Sequence, residues 1–233
     1  MSTHDDEQLE NIKRFFQDYG TPILVGASIA LAVFAGWRYW NQSQLQTATV
    51  AANTYQSTLD AYKKINTNPD DKTANTDLQR HAQKLTQEFA ETPYATSAAL
   101  LLAKRAMENK DTKEAEKQLR WVLTQKIDDG MKSIVTLRLT HLLVEKGDAK
   151  AALALLNTDT NVGFIASREE LRGDILKLSG DIAGAQKAYQ AAMKVLVERQ
   201  EPRPLLDMKM ADVGLDAPEI KRPSPIKVDE QQG

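Results

Sequence analysis

Three histidines, His4, His81 and His141, are by side-chain type the best suited in this sequence to move protons or hold a metal near neutral pH. They do not stand at His-x-x-x-His spacing, which would set two imidazoles on one helical face for zinc. His4 falls in a polar N-terminal segment. His81 and His141 fall on expected helices with no partnering motif, so they read as structural histidines rather than bases. The adjacent acids Asp70-Asp71 and Asp128-Asp129 are the other candidates for acid–base work. Neighbouring side chains diverge in direction, so these pairs read as solvated loop charges and helix caps. With no cysteine there is no thiolate nucleophile, no disulfide and no cysteine-bound metal. The motifs Gly-x-Gly-x-x-Gly and Gly-x-Ser-x-Gly, and a phosphate-cradling loop ending in Lys-Ser/Thr, do not occur in the sequence. We therefore expect no catalytic, cofactor or metal site. Thirty Lys and Arg against 32 Asp and Glu leave a net charge of -2, which gives no electrostatic case for nucleic acid.

What the chain offers instead is surfaces, beginning with the run YGTPILVGASIALAVFAGW from Tyr19 to Trp37, which has no charged residue in a chain that is 27% charged. As a helix it reaches roughly 28 Å, close to the hydrocarbon thickness of a bilayer. Trp37, Tyr39 and Trp40 place amphipathic rings where a membrane–water boundary wants them, and Arg38 can extend its guanidinium to the headgroups. We expect a transmembrane helix over 19–40, with Thr21 capping it and Pro22 in its first turn. A buried helix of a soluble protein lacks that aromatic belt. A cleaved leader at Ala30-Leu31-Ala32 would call for a short basic start, whereas the start here is long and acidic. Residues 1–18 are expected to be partly amphipathic, with Leu9, Ile12, Phe16 and Tyr19 at helical spacing along the membrane surface. Lys13 and Arg14 precede the span and only Arg38 follows closely, which favours a cytoplasmic N-terminus and an exported C-terminal domain.

From Ser43 onward the composition predicts helices, and the fold class is all-α. Three segments share a signature: Asn109-Lys110-Asp111 leading to Ala115 and Leu119, Lys146-Gly147-Asp148 leading to Ala152 and Leu156, and Ser179-Gly180-Asp181 leading to Ala185 and Tyr189. Their aspartates stand 37 and 33 positions apart, bracketing the ~34-residue period of tetratricopeptide repeats. Each Asp is placed to cap a second helix, and Gly147 and Gly180 to close a first. Each alanine, with the position twelve before it (Ala103, Thr140, Gly173), marks a close helix crossing. Residues 96 to 199 should thus form three stacked helix pairs within a domain spanning 43–200. Upstream, a helix from about Ser43 to Lys64, a polar linker from Ile65 to Lys72 and a helix from about Ala74 to Ala90 read as a divergent first pair. Glu201-Pro202-Arg203-Pro204 breaks the last helix, and 201–233 reads as a polar, proline-containing, disordered tail.

The span and its flanks carry a resemblance. Arg14-Phe15-Phe16, Tyr19-Gly20, Val25-Gly26 and Gly36-Trp37-Arg38-Tyr39-Trp40-Asn41, followed by a tetratricopeptide-like domain, resemble the YfgM family of ancillary SecYEG translocon subunits over about residues 9 to 200. The resemblance implies a single-pass protein of the bacterial inner membrane with a periplasmic repeat domain, associated with SecYEG and with the membrane-anchored periplasmic chaperone PpiD. It further implies a chaperone-like part in the export and folding of secretory client proteins. The tail after about Val213 departs from the family pattern, and no role is carried over to it.

Two surfaces could do such work beside the lipid bilayer. In the register set by the alanines, a concave groove would present Leu100, Lys104 and Met107, then Leu137, His141 and Val144, then Glu170, Asp174 and Lys177. Within the span, Ser28, Ala32 and Gly36, and separately Gly26 and Ala30, are small residues at four-residue spacing that would let a translocon helix, a partner's anchor or a second copy approach closely. The groove suits changing clients, or else one fixed partner, which would make the protein an assembly or regulatory adaptor in the envelope.

Overall fold

The computed structural model describes the backbone of residues 3–218 and 220, and side chains from residue 19 onward together with Lys13. The expected surface-lying face of Leu9, Ile12 and Phe16, and the tail from 221 to 233, lie outside what is described. Among the described residues all regular structure is helical: α1 (Thr3–Thr67), α2 (Lys72–Glu88), α3 (Pro93–Glu108), α4 (Thr112–Leu123), α5 (Asp129–Glu145), α6 (Ala149–Leu156), a 3₁₀ turn (Val162–Phe164), α7 (Ile165–Leu178), α8 (Ile182–Arg199) and α9 (Pro204–Ala211). Consecutive helices pack on one another from the C-terminal part of α1 to α9. The three expected pairs are α3/α4, α5/α6 and α7/α8, preceded by a pair made of α1 and α2.

The same turn recurs because the same backbone problem recurs: a helix must end, and the next must begin within three residues. At each junction a residue in the left-handed region closes the first helix, namely Lys110 (φ 59°), Gly147 (φ 80°) and Gly180 (φ 83°). The following aspartate donates its N–H back to a carbonyl of the last turn: Asp111 to Ala106, Asp148 to Leu143 and Asp181 to Leu176, all at 2.8–2.9 Å. Its carboxylate then accepts an N–H in the first turn of the next helix, from Glu114 at 3.0 Å, Ala151 at 3.0 Å and Gly184 at 2.8 Å. Asp71 and Asp128 cap α2 and α5 in the same way, accepting from Ala74 and Met131 at 2.9 Å. The acid pairs 70–71 and 128–129 therefore each give one member to a helix start.

At the crossings the small residues are buried. Ala115, Ala152 and Ala185 are fully enclosed, and Thr140 is buried with its hydroxyl donated to the Thr136 carbonyl at 2.8 Å. The third pair exchanges sizes. Where the others set Leu119 or Leu156 against Ala103 or Thr140, it sets Tyr189 against Gly173. A Cβ on Gly173 would overlap Cδ1 and Cε1 of the Tyr189 ring.

Three expectations about boundaries change. Helix α1 runs without a break through Thr21 and Pro22, so neither marks a helix start. Pro22 removes one backbone hydrogen bond, and the hydrogen-bonded turns on either side carry the helix through it. Ile65, expected in a linker, is 1% exposed at the end of α1 in a core with Leu78, Leu85 and Leu102, and the loop shrinks to Asn68–Asp71. The segment read as a disordered tail begins instead with α9, whose Leu206 and Met210, followed by Val213, join a core with Tyr189, Met193 and Leu196.

Two outcomes follow from this geometry. Lys110 is exposed and holds a left-handed conformation that costs a side-chain-bearing residue about 1 kcal/mol. Lys110→Gly is expected to raise the thermal midpoint by about 2–4 °C, read by circular dichroism of the detergent-solubilised chain. Gly173→Ala is expected to destabilise by about 1–3 kcal/mol through overpacking, despite the better helix propensity of alanine. Adding Tyr189→Leu should recover part of that loss, and a double mutant no better than Gly173→Ala alone would refute the size exchange.

Candidate functional site

Helix α1 contributes the first surface. Across its apolar window none of the side chains is buried against the rest of the protein, which a helix in the core of a soluble fold would show. Trp37, Tyr39 and Trp40 project outward, as does Arg38, and Phe34 lies against Trp37 with ring centroids 6.2 Å apart. Open space surrounds Gly26 and Gly36. Ser28 donates its hydroxyl to the Leu24 carbonyl at 2.8 Å, so it carries no unmet polar group into the span. Ser28, Ala32 and Gly36 share one side of the helix, and Gly26 and Ala30, two positions out of phase, lie on the opposite side.

The second surface is a cleft of about 550 Å³ among the first helices of the pairs. Backbones of α1 and α3 approach closely, as do those of α5 and α7, whereas α3 and α5 stand farther apart and the cleft opens between them. Its floor is apolar, with Leu100, Leu101, Ala103 and Met107 from α3, Leu119 from α4 and Leu142 from α5. Tyr55 closes one side and itself lies against Tyr94, the rings tilted with centroids 5.7 Å apart. The rim is charged: Lys104, Arg138, His141 and Glu145. Lys104 sits over the ring of Tyr62, 5.2 Å from its centroid, and Tyr62 donates its hydroxyl to Glu108 at 2.9 Å. Tyr62 first, and Glu108 after it, push the Lys104 pKa up.

Of the groove positions expected from sequence, Leu100, Lys104, Met107 and His141 line this cleft. Leu137 and Val144 do not: both are half-buried against the hydrophobic core. On α5 the cleft is lined by Arg138 and Glu145 beside His141, one residue round the helix from the expected register, a rotation of about 100°. Arg138 and Glu145 were missed because charged residues on a helix read first as a solvated face.

Glu170, Asp174 and Lys177 face no open groove. Glu170 accepts from Arg203 at 2.9 Å and from Lys209 at 2.7 Å; Asp174 accepts from Lys209 at 2.8 Å and from the Tyr189 hydroxyl at 2.9 Å; Lys177 pairs with Asp212 at 3.0 Å. The Arg203, Lys209 and Asp212 contacts hold α9 and its flanks on α7, and the Tyr189 bond ties α8 to the same face. Burial alone would raise the Glu170 pKa, but the Lys209 ammonium and Arg203 guanidinium outweigh it and hold the carboxyl below its ordinary value. Burial would lower Lys209, and Asp174 and Glu170 more than offset it, so its pKa rises. Burial and the bond to Asp174 both raise the Tyr189 hydroxyl.

His81 lies on α2, where burial and the neighbouring Arg80 lower its pKa, and His141 lies apart from it on the cleft rim. Among the described residues no three His, Cys, Asp or Glu side chains gather as metal ligands would.

Comparison with known proteins places this arrangement. Residues 13–215 match the family described as tetratricopeptide repeat-like domain. The chain is 32% identical over 191 residues to an ancillary SecYEG translocon subunit of Escherichia coli, covering 82% of this chain and 88% of that protein. It is 28% identical over 193 residues to a protein of the same name from Haemophilus influenzae, covering 83% and 90%. Against that of Neisseria gonorrhoeae it is 26% identical over 212 residues, covering 90% and 98%.

The α9 clasp has a definite pH signature. Glu170, depressed below its ordinary 4.5, adds stability at pH above 4.5 that is lost as pH falls through its folded value. Lys209, raised above its ordinary 10.5, adds stability below pH 10.5 that is lost as pH climbs through its folded value. The protection of α9 amides against hydrogen exchange, corrected for the intrinsic rate at each pH, is expected to fall as pH drops below 4.5. Lys209→Met should cost about 1–3 kcal/mol and make the Glu201–Arg203 stretch more protease-sensitive at neutral pH. Unchanged cleavage there would mean that the apolar contacts alone hold α9.

Proposed function

Since the chain belongs to the family of ancillary SecYEG translocon subunits with a tetratricopeptide repeat-like domain, we propose that it is a non-enzymatic, membrane-anchored subunit at the SecYEG channel, whose domain receives partner or client segments as they leave it. One observation carries the reading: a fully exposed apolar span and a helix-pair domain with an apolar cleft are built on one uninterrupted helix. The span supplies contact with channel helices through its small-residue faces. The cleft, with an adaptable Met107 in its floor and charge only at its rim, supplies contacts that suit varied apolar segments, in a chaperone-like role. In this reading the N-terminus is cytoplasmic and the domain periplasmic, in line with Lys13 and Arg14 preceding the span. A PpiD-like anchored chaperone is then a natural neighbour, and a second copy of the chain could use the free face of the span.

Site-specific photocrosslinking in intact membranes tests this, with probes at Ser28, Gly36, Lys104 and His141. Adducts to translocon subunits are expected from the span, and adducts to a chaperone or to several exported chains from the cleft. A single protein unrelated to secretion, captured at all four positions, would make the chain an adaptor for one fixed partner and refute the proposal.

A further inference from the structure

Between the membrane and the domain α1 forms a bare stalk. Residues 41–50 are exposed throughout, and Ala51 is the first α1 side chain fully enclosed by the domain. Neither glycine nor proline interrupts the helix from Trp37 to Thr67. The stalk hydroxyls turn inward on their own helix, with Thr47 donating to the Ser43 carbonyl at 3.0 Å and Thr49 to that of Leu45 at 2.8 Å. Such a segment holds its helix in water because both of its ends are already helical, one in lipid and one in the core, so no nucleation cost arises. Tyr55, which walls the cleft, stands on this same helix fifteen residues beyond Trp40. At 1.5 Å per residue the cleft is about 22 Å from the interfacial aromatic.

That height excludes lipid as the occupant, since the headgroup layer extends only about 5–8 Å beyond the hydrocarbon. It sets a minimum for a polypeptide: at about 3.3 Å per extended residue, a chain leaving the membrane beside α1 reaches the cleft after about seven residues. Charge narrows the occupant further. Arg138 is exposed at the rim and makes no hydrogen bond or ion pair with any described residue, and it faces a second cation, Lys104. Glu145 lies two turns farther along α5, about 10 Å away, so the cleft is positive at one end and negative at the other. A contact this small is weak between free molecules and becomes effective when both partners are tethered to one membrane, which raises their effective concentration toward millimolar.

We infer that the cleft receives the juxtamembrane segment of another membrane-spanning polypeptide, at least seven residues beyond its span, carrying an apolar side chain for the floor and a carboxylate for Arg138. This rests on the translocon reading above and specifies its partner: a chain still held in the bilayer, not a released soluble one.

The stalk provides the test, in full-length protein in native membranes with p-benzoylphenylalanine at His141 and the adduct site mapped by mass spectrometry. The wild-type stalk is expected to give adducts about 7–15 residues beyond a partner's span. Seven helix-forming residues inserted after Gln46 lift the cleft about 10 Å and nearly preserve its facing, so the adduct should move about three residues farther from that span. Two inserted residues turn the cleft by about 200° and should abolish the adduct. Arg138→Glu, at an exposed site, should lower the yield at least fivefold. Adducts confined to proteins with no span, an adduct site that ignores both insertions, or full yield from Arg138→Glu would each overturn the inference. Translocon adducts from a Ser28 probe, recorded in the same membranes, report the underlying reading separately: their loss would sink it whatever the cleft captures.

Discussion

A single helix that must satisfy two solvents governs this molecule. From Tyr19 to Trp37 α1 is uncharged and exposed on every side, as a bilayer would require, and its last seventeen residues are apolar on one side, as a protein core requires. No hinge separates the two. The domain is therefore joined to the apolar stretch by continuous helix and not by a flexible linker, so its facing relative to that stretch is set by helix length and phase.

Growth of the domain outward from α1 depends on one repeated turn. A left-handed residue ends each first helix, a backbone N–H folds back on the last turn, and an aspartate opens the next helix. Each pair buries its crossing against small residues, and each pair leaves a face that only a neighbour can cover. At the far end that neighbour is α9, which buries Leu206 and Met210 and neutralises Glu170 and Asp174 with Lys209. The acids that in an open repeat would face a partner are satisfied internally, and the cleft between α3 and α5 stays accessible among the first helices.

The division between span, stalk and cleft also accounts for the uneven chemistry of the surface. In a bilayer the exposure of Leu24, Leu31 and Val33 would be stabilising; in water the same exposure would drive aggregation. In the cleft the apolar floor is narrow and ringed by charge, so it can stay solvated when empty.

Much of this was legible in the sequence. The apolar run with its aromatic belt marked a helix long and apolar enough to cross a membrane, because bilayer thickness and hydropathy act on consecutive residues. The Asp and Gly or Lys turns with their paired small residues identified the hairpins, because turn chemistry is local and repeats with the pair. The details that failed are those set by partners distant in the chain. Whether Arg138 or Leu137 faces the cleft depends on how α5 rotates against α3, about 35 residues earlier, and a rotation of one residue exchanges floor for core. Whether Glu170 and Asp174 face a groove depends on α9, whose prolines read as a chain break, yet whose Lys209 finds those carboxylates 35 and 39 residues upstream while Leu206 packs on α8. Ile65 looked like linker because its covering side chains, Leu78 and Leu85, belong to the next helix. Local physics wrote the helices, turns and anchor into the sequence; which faces remain open was decided only when the helices packed, because burial and ion pairing depend on what lies across the contact.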